Sequence, residues 1–191
     1  MKNYIGRKIN TAIFISGTGS NMRNLIKFSK SNKSPIKVKL VISSNKNAKG
    51  IIYASKKKID NYSFKFSDLK YTEKNIFKIL GEKRIKLICL AGFMKILSYN
   101  FIKKFKGKII NIHPSLLPKY KGLNTYNRVL ENDEKYTGCT VHFVNSKLDG
   151  GKIILQKKIK ILKKDTAISL KKRVQKEEYL LYPRAIKKII S

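Results

Sequence analysis

Short runs of β-branched and other apolar residues alternate with longer amphipathic stretches along most of this chain, and this alternation restricts the fold more than any other feature. The hydrophobic period switches repeatedly between two residues, typical of a strand, and 3.6 residues, typical of a helix. Strands that alternate with helices favour βαβ units, in which a parallel sheet is covered by helices. We therefore predict an α/β fold with a mostly parallel central sheet flanked by helices.

The pattern predicts four strands and four helices in alternation, followed by an antiparallel hairpin and a last helix. The strands are expected at residues 8–16, 37–43, 85–91 and 108–113, and the helices at 21–29, 48–57, 72–83 and 124–132. Alternation at residues 138–145 and 152–161 around an Asp-Gly-Gly turn indicates the hairpin near the C-terminus. Asp165 or Thr166 is the expected cap of the last helix. No repeat or linker interrupts the chain, so we expect a single domain over residues 1–191.

Composition narrows the function classes. With 42% hydrophobic residues, 11 Gly and 4 Pro, the chain is neither disordered nor collagen-like. No apolar run is long enough to cross a bilayer and the N-terminus has no cleavage signature, so we expect no membrane partner and a cytoplasmic location. Cys89 and Cys139 lie far apart in apolar sequence and are expected to be reduced and buried. Two scattered histidines and two cysteines make a metal site improbable, and none is expected.

The net charge of +33, from 44 Lys and Arg against 11 Asp and Glu, allows two interpretations. The first is an anionic partner, such as nucleic acid, a phosphate-bearing substrate or a membrane surface. The second is compositional drift, because Lys, Ile and Asn crowd nearly every segment. A dedicated nucleic-acid binder concentrates its charge in a patch or stripe, so we favour drift and expect no specific nucleic-acid partner.

The first loop has the sequence SGTGSN at residues 16–21, between the first strand and the first helix. Its glycines let backbone amides turn toward a ligand, and the positive end of the helix attracts anions. These features favour a phosphate site, with an ordinary glycine-rich turn as the alternative. Residue 22 is Met, so the third glycine of the dinucleotide fingerprint is missing, and the Walker pattern is also absent. Nicotinamide and ATP binding are therefore disfavoured.

Asn111 and His113 come at the carboxyl end of a predicted strand, where open α/β sheets place their active sites. Two residues apart in an extended chain, their side chains point to the same side, and both can reach one bound oxygen. An amide and an imidazole N–H are donors suited to a tetrahedral oxyanion, which points to acyl-type transfer. The alternative is a structural histidine at a strand end.

Asp149 lies in the predicted hairpin turn, and it is either a structural turn residue or a carboxylate that pairs with His113. Nothing in the spacing alone brings the two together. His142 sits inside an alternating strand, and we expect a structural or supporting role for it. No Ser, Cys or Lys has an obvious activating neighbour, so transfer without a covalent enzyme intermediate is favoured.

Five segments, in this order along the chain, carry a resemblance to a known family. They are SGTGSN at 16–21, LAGFMKIL at 90–97, NIHPSLLPKY at 111–120, VHFV at 141–144 and LDGG at 148–151. The central decapeptide resembles the folate-dependent formyltransferases. The opening loop is similar to that of their glycinamide ribonucleotide branch, the phosphoribosylglycinamide formyltransferases of purine biosynthesis. The match covers about residues 8–188.

The resemblance implies a Rossmann-like fold and a formyl transfer in de novo purine biosynthesis. The formyl group would pass from 10-formyltetrahydrofolate, as co-substrate, to the primary amine of 5′-phosphoribosylglycinamide, directly through a tetrahedral intermediate. No metal is implied, the partners are these two small molecules, and we expect a monomer or weak homodimer. The alternatives are a relative acting on initiator tRNA or formylfolate, which would need an additional domain, and a basic nucleic-acid binder without enzymatic activity.

The resemblance also implies roles for individual residues. The ribose phosphate would be held by Gly19, Ser20 and Asn21, and the glycinamide end would contact Glu178. The folate pocket would be lined by Met94, Lys95, Ile96 and Leu97, together with Asn111. The catalytic residues would be Asn111, His113 and Asp149. In this interpretation Asn111 and a cationic His113 hold the oxyanion, and Asp149 stabilises the imidazolium.

Overall fold

The computed structural model describes residues 6–190, and this part of the chain contains seven strands and six helices. In chain order they are β1 (Ile9–Ile15), α1 (Ser20–Ser29), β2 (Ile36–Ser43), α2 (Lys49–Lys56), β3 (Asp60–Ser63), α3 (Leu69–Glu82), β4 (Leu87–Leu90), α4 (Tyr99–Lys104), β5 (Lys108–His113), α5 (Thr125–Glu131), β6 (Tyr136–Phe143), β7 (Ile153–Lys160) and α6 (Ala167–Ile190). The chain divides into two compact units between Ile110 and Asn111, within β5.

In the first unit the strands lie in the order β3-β2-β1-β4, followed by β5. The pairs β1–β2, β1–β4 and β2–β3 are parallel, and Ile13 of β1 lies opposite both Val41 and Cys89. Successive residues of a strand point to opposite faces. Because residues 12–15 of β1 are all fully buried, both faces of this strand are covered. The carboxyl end of β1 thus leads from a fixed core directly into the loop at residues 16–19.

In the second unit β5 is followed by β6 and β7, and the last two strands form an antiparallel hairpin. Val141 pairs with Leu155, and the register shifts between Val141 and His142. Helix α6 packs against this hairpin and contributes an apolar side that includes the fully buried Tyr182. The outermost strand, β7, carries exposed lysines at 157, 158 and 160.

The α/β prediction is confirmed: the fold is Rossmann-like, with a mostly parallel sheet, flanking helices and an antiparallel hairpin near the C-terminus. The eight alternating elements predicted before the hairpin all appear, with ends that lie at most three residues from the predicted ones. Thr166, one of two expected caps of α6, accepts a bond from the Ser169 N–H at 3.2 Å. Both cysteines are buried and free, as expected. The single-domain assignment stays a prediction.

Two elements were not predicted. Strand β3 is only four residues long and polar, and its identity depends on pairing with β2. Helix α4 has six residues and is capped by Ser98, whose hydroxyl accepts from the Phe101 N–H at 3.0 Å. Both owe their existence to neighbouring chain segments and lack a periodic pattern of their own. None of the helices within residues 6–190 has the length and apolar character needed to traverse a bilayer.

Candidate active site

Strand β5 ends at His113 and places Asn111 and His113 on the same side, two residues apart. Pro114 follows directly and has no N–H for continuing the ladder. His113 is 5% exposed and Asn111 is half-buried. The pair predicted from sequence spacing is therefore present at the carboxyl end of the strand.

Asp149 lies in contact with both residues, a contact that sequence spacing did not establish. Its Oδ2 is 3.3 Å from His113 Nδ1, and its Oδ1 accepts from Asn111 Nδ2 at 3.3 Å. Oδ1 also lies 3.5 Å from Nε2 of His142. The structure thus brings Asn111, His113 and Asp149 together and adds His142 beside them. We refer to these four residues as the β5 cluster.

The hairpin turn directs Asp149 into the β5 cluster. Asp149 has a left-handed φ of 44°, which is uncommon for a residue with a side chain. Two residues later, a Cβ on Gly151 would lie 1.7 Å from the Phe143 carbonyl oxygen, so the backbone approaches too closely for any side chain there. The Phe143 N–H also donates to the Lys152 carbonyl at 2.9 Å. The glycine therefore permits the tight turn that brings the carboxylate back over β5.

Two backbone carbonyls determine which ring nitrogens carry protons. A carbonyl oxygen can only accept, so His113 donates from Nε2 to the Tyr120 carbonyl at 2.8 Å. This leaves Nδ1 of His113 facing Asp149. His142 donates from Nδ1 to the Phe143 carbonyl at 2.8 Å, and its Nε2 lies 3.2 Å from Asn111 Nδ2. His142 Nε2 is therefore an acceptor for the Asn111 amide, and its supporting role stays a prediction.

Burial lowers the pKa of His113 below its usual 6.5, although the Tyr120 carbonyl and the Asp149 carboxylate act in the opposite direction. Burial thus favours the neutral ring, whereas the Tyr120 carbonyl and Asp149 favour the cationic form implied by the family resemblance. Burial also disfavours ionisation of Asp149, but the neighbouring His142 ring, the Gly122 N–H and the His113 ring hold its pKa below the usual 3.8. Asp149 is consequently a carboxylate at neutral pH.

Sequence reasoning missed the loop that contacts both ionisable groups. Tyr120 supplies the carbonyl to His113, and Gly122 donates its N–H to Asp149 Oδ2 at 2.9 Å. Both residues have left-handed φ values, 55° and 78°. Only the glycine offered a sequence signal for such a conformation, because Tyr120 acts through its backbone.

The first loop is shaped by the close approach of Gly50. Gly19 has φ 70° and precedes α1, which begins with Ser20 and the buried Asn21. The Gly50 N–H donates to the Gly17 carbonyl at 3.1 Å, and a Cβ on Gly50 would lie 2.3 Å from the Ile15 side chain. The glycine at position 50 was not singled out from the sequence. The loop at residues 16–19 is thus held against the start of α2.

The same loop is bonded to the predicted folate segment within the first unit. The Ser16 hydroxyl accepts from the Met94 N–H at 2.8 Å, and the Ser16 N–H donates to the Gly92 carbonyl at 3.0 Å. Ser16 Oγ also lies 2.6 Å from Ser44 Oγ. Of the predicted pocket residues, Lys95 and the side chains of Met94 and Ile96 are exposed, whereas Leu97 is buried.

Glu178 lies in α6 and is only 6% exposed. Burial, with a further contribution from the Glu178 charge, raises the pKa of the Tyr126 hydroxyl, and the same two causes raise the pKa of the Cys139 thiol to about 12. These shifts place a buried carboxylate near both groups. Across residues 6–190, no group of three or more His, Cys, Asp or Glu side chains is arranged to bind a metal ion.

Comparison with known proteins shows the family. The sequence profile of the formyl transferase family matches residues 9–186. The phosphoribosylglycinamide formyltransferase of Haemophilus influenzae is 42% identical over 179 residues, covering 92% of this chain and 84% of that protein. The trifunctional purine biosynthetic protein adenosine-3 of Homo sapiens is 38% identical, and its match covers 97% of this chain but 19% of that protein.

Solved structures agree with the sequence matches. A crystal structure of phosphoribosylglycinamide formyltransferase from Brucella melitensis aligns with a TM-score of 0.91 and 39% identity, covering 97% of each chain. The structural match covers nearly the whole chain. The range matched by the family profile includes all four residues of the β5 cluster. The chain belongs to the formyl transferase family and, within it, to the phosphoribosylglycinamide formyltransferases.

Proposed function

We propose that this protein transfers the formyl group of 10-formyltetrahydrofolate to the primary amine of 5′-phosphoribosylglycinamide, through a tetrahedral intermediate and without a covalent enzyme intermediate. The observation that carries the proposal is the contact of Asn111, His113 and Asp149 at the end of β5. An amide and an imidazole donor beside an ionised carboxylate can stabilise the oxyanion formed when an amine adds to a carbonyl. The name of the Haemophilus influenzae relative supports the same activity.

In the proposed reaction the amine nitrogen forms a bond to the formyl carbon, and the carbonyl oxygen takes up the electron pair. The intermediate then collapses by breaking the bond between that carbon and N10 of the folate, while one proton passes from the amine to N10. Asn111 Nδ2 and His113 Nδ1 are the proposed donors to the oxyanion. Asp149 orders a water that carries the proton, and it stabilises the imidazolium.

The distances support this choice of donors. The two bonds of Asn111, at 3.2 and 3.3 Å, are longer than the 2.8 Å bond from His113 Nε2 to Tyr120. Long bonds exchange partners more readily, so an incoming oxygen would replace those of Asn111 and leave the Tyr120 bond intact. A negative oxygen next to Asp149 would favour protonation of His113 at Nδ1, overcoming the effect of burial.

We propose that the remaining predicted residues bind the two substrates. Residues 19–21 lie at the start of α1, where the positive end of the helix dipole favours the ribose phosphate. Residues 94–96, whose side chains are exposed, and the buried Leu97 offer polar backbone groups and apolar side chains to the pterin. Asn111 also contacts the folate. Glu178 supplies a buried carboxylate for the glycinamide end of the nucleotide.

The test is a formyl-transfer assay with purified protein, glycinamide ribonucleotide and a formylfolate analogue, followed by the absorbance of the deformylated product. We expect His113→Ala and Asn111→Ala each to lower turnover about 10²–10³-fold, because each removes one oxyanion donor. Asn75→Ala is the matched control, since it removes an amide that donates to the Tyr71 carbonyl within α3 and belongs to no predicted site. Unchanged thermal unfolding of all three variants would show that folding is intact. Wild-type turnover no higher than that of His113→Ala would refute the proposal.

A further inference from the structure

We propose that Glu134, together with the hydroxyl of Tyr120, positions His113. The two groups fix the backbone carbonyl of Tyr120, which accepts the hydrogen bond from His113 Nε2. Nδ1 is thereby selected as the ring nitrogen that faces the reacting atoms. Glu134 and Tyr120 act here as positioning residues, with no contact to substrate required. The catalytic consequence rests on the proposed function, whereas the effect on the imidazole does not.

Glu134 accepts bonds from two neighbouring residues of the loop that contacts His113. Its Oε1 accepts from the Tyr120 hydroxyl at 2.9 Å and from Lys119 Nζ at 2.8 Å. Lys119 and Tyr120 together hold the pKa of Glu134 below its usual value, so it is ionised and accepts both bonds at neutral pH. Charge-assisted bonds of this kind are stronger than bonds between neutral groups. The aromatic end of Tyr120 is therefore tethered at its hydroxyl.

Arg128 in α5 holds the face of the same ring. Its guanidinium carbon lies 5.4 Å from the centroid of the Tyr120 ring, and its Nη1 donates to the Lys121 carbonyl at 2.7 Å. Tyr120 itself has φ 55°, a conformation that costs free energy for a residue with a Cβ and persists only where surrounding contacts impose it. The tethered hydroxyl and the covered ring face hold the side chain of this strained residue.

The tether controls the imidazole through one bond. The Tyr120 carbonyl accepts from His113 Nε2 at 2.8 Å, so the neutral ring carries its proton on Nε2 and presents Nδ1 to Asp149. Without that carbonyl, a neutral ring gains more by placing its proton on Nδ1, where the carboxylate accepts it. Release of Tyr120 is therefore expected to change the tautomer of His113.

Other charges also face His113 and must stay constant in a test. Asp149 in the hairpin turn favours the protonated ring, whereas His142 in β6 and Arg128 in α5 disfavour it. Variants of Tyr120 and Glu134 leave all three of these groups in place. Arg128 is for this reason kept unchanged.

The experiment compares Tyr120→Phe, Glu134→Ala and Glu134→Gln with the wild type, by ¹⁵N NMR of histidine-labelled protein across pH. The chain contains two histidines, so the spectrum is simple, and a His142→Asn variant assigns it. Lys119→Met is the matched control, because it removes the other bond to Glu134 Oε1 and leaves the tyrosine tether. Wild type and control should show His113 protonated at Nε2 in the neutral ring.

Tyr120→Phe and Glu134→Ala should increase the Nδ1-protonated tautomer and move the titration midpoint of His113 to lower pH, since the Tyr120 carbonyl favours the charged ring. Their kcat should fall roughly tenfold or more with little change in KM, as expected when a reacting group is misplaced. Glu134→Gln should recover part of the loss, because its amide oxygen still accepts from the hydroxyl.

A wild-type tautomer and midpoint in Tyr120→Phe would overturn the inference, whatever its turnover. If Glu134→Ala does not fold, Tyr120→Phe decides alone, since it retains the carboxylate and its ion pair with Lys119. A changed tautomer in a protein whose wild type shows no formyl transfer would uphold the positioning role and refute the proposed function. The two failures are thus distinguishable.

Discussion

Asp149 makes polar contacts with four groups through two oxygens, and these contacts explain how a buried carboxylate stays ionised. Oδ1 lies near Asn111 and His142, whereas Oδ2 lies near His113 and accepts from the Gly122 N–H. A buried charge without such partners would neutralise by a shift in its pKa. The carboxylate is therefore both a structural centre of the β5 cluster and the source of its negative charge.

Asp149→Asn should preserve the size of this side chain while removing its charge. Because Asp149 favours the protonated form of His113, its loss should lower the pKa of His113 further, and the NMR titration midpoint should move to lower pH. Turnover should fall about a hundredfold, since the imidazolium loses its counter-charge. Asp68→Asn, which alters a carboxylate that caps α3, should leave both quantities unchanged. A midpoint that moves to higher pH would contradict this account.

Among individual residues, the sequence predicted which side chains form the site better than which backbone atoms contact it. Asn111 and His113 were identifiable because two donors two residues apart on a strand must share a side. The contact with Asp149 was not derivable, because it depends on how a distant turn folds back. Tyr120 was not predicted because it contributes a backbone carbonyl to the site, and every residue has a backbone carbonyl.

Among the elements, the β6–β7 hairpin determines where the carboxylate lies. The turn after β6 returns the chain so closely that Gly151 faces the Phe143 carbonyl, the same oxygen that accepts from His142 Nδ1. The Phe143 carbonyl thus leaves no space for a side chain at residue 151, and it also accepts the bond that orients the His142 ring. Changes at this glycine should affect both stability and activity.

Gly151→Ala should lower the free energy of unfolding by about 1–3 kcal/mol, because its Cβ would meet backbone atoms that cannot move aside easily. Turnover should fall with it, since the turn carrying Asp149 shifts. The matched control is Gly81→Ala in α3, where the new Cβ would meet no atom within 4 Å apart from the local helix backbone. That change should raise stability by about 0.5–1 kcal/mol. Urea unfolding of both variants measures the contrast, and equal effects would contradict it.

The elements that the sequence predicted are those with a periodic apolar pattern of their own. β1, with five consecutive buried residues, and α3, with buried positions at Thr72, Ile76 and Leu80, follow this rule. Helix α4 does not, because its cap residue Ser98 is itself held by Glu73 of α3, whose carboxylate accepts from the Ser98 N–H at 2.7 Å. Such a helix depends on a tertiary contact as well as on its own cap residue.

For the whole molecule, positive charge is the dominant property. The chain carries 44 Lys and Arg against 11 Asp and Glu, so most cations have no carboxylate to pair with. Repulsion among like charges opposes the compact state, and dissolved salt screens it over a distance of roughly 10 Å at 0.1 M. The folded protein should therefore be more stable at higher ionic strength.

We expect the midpoint of thermal unfolding to rise as NaCl is increased from about 10 mM to about 0.5 M, where screening is nearly complete. Sodium acetate at the same ionic strength should give the same rise, which separates screening from binding of chloride. Circular dichroism provides the measurement. A midpoint that falls, or that differs between the two salts, would contradict the screening account.

The lysines of β7 have an additional consequence for behaviour in concentrated solution. An outermost strand exposes backbone groups that can recruit a strand from another molecule and begin a fibril. Exposed lysines at 157, 158 and 160 line this strand, and β3, the outermost strand of the first unit, is short and polar. Two approaching copies would bring these ammonium groups together, and the groups would repel each other. The basic composition therefore opposes aggregation through the exposed edge of β7.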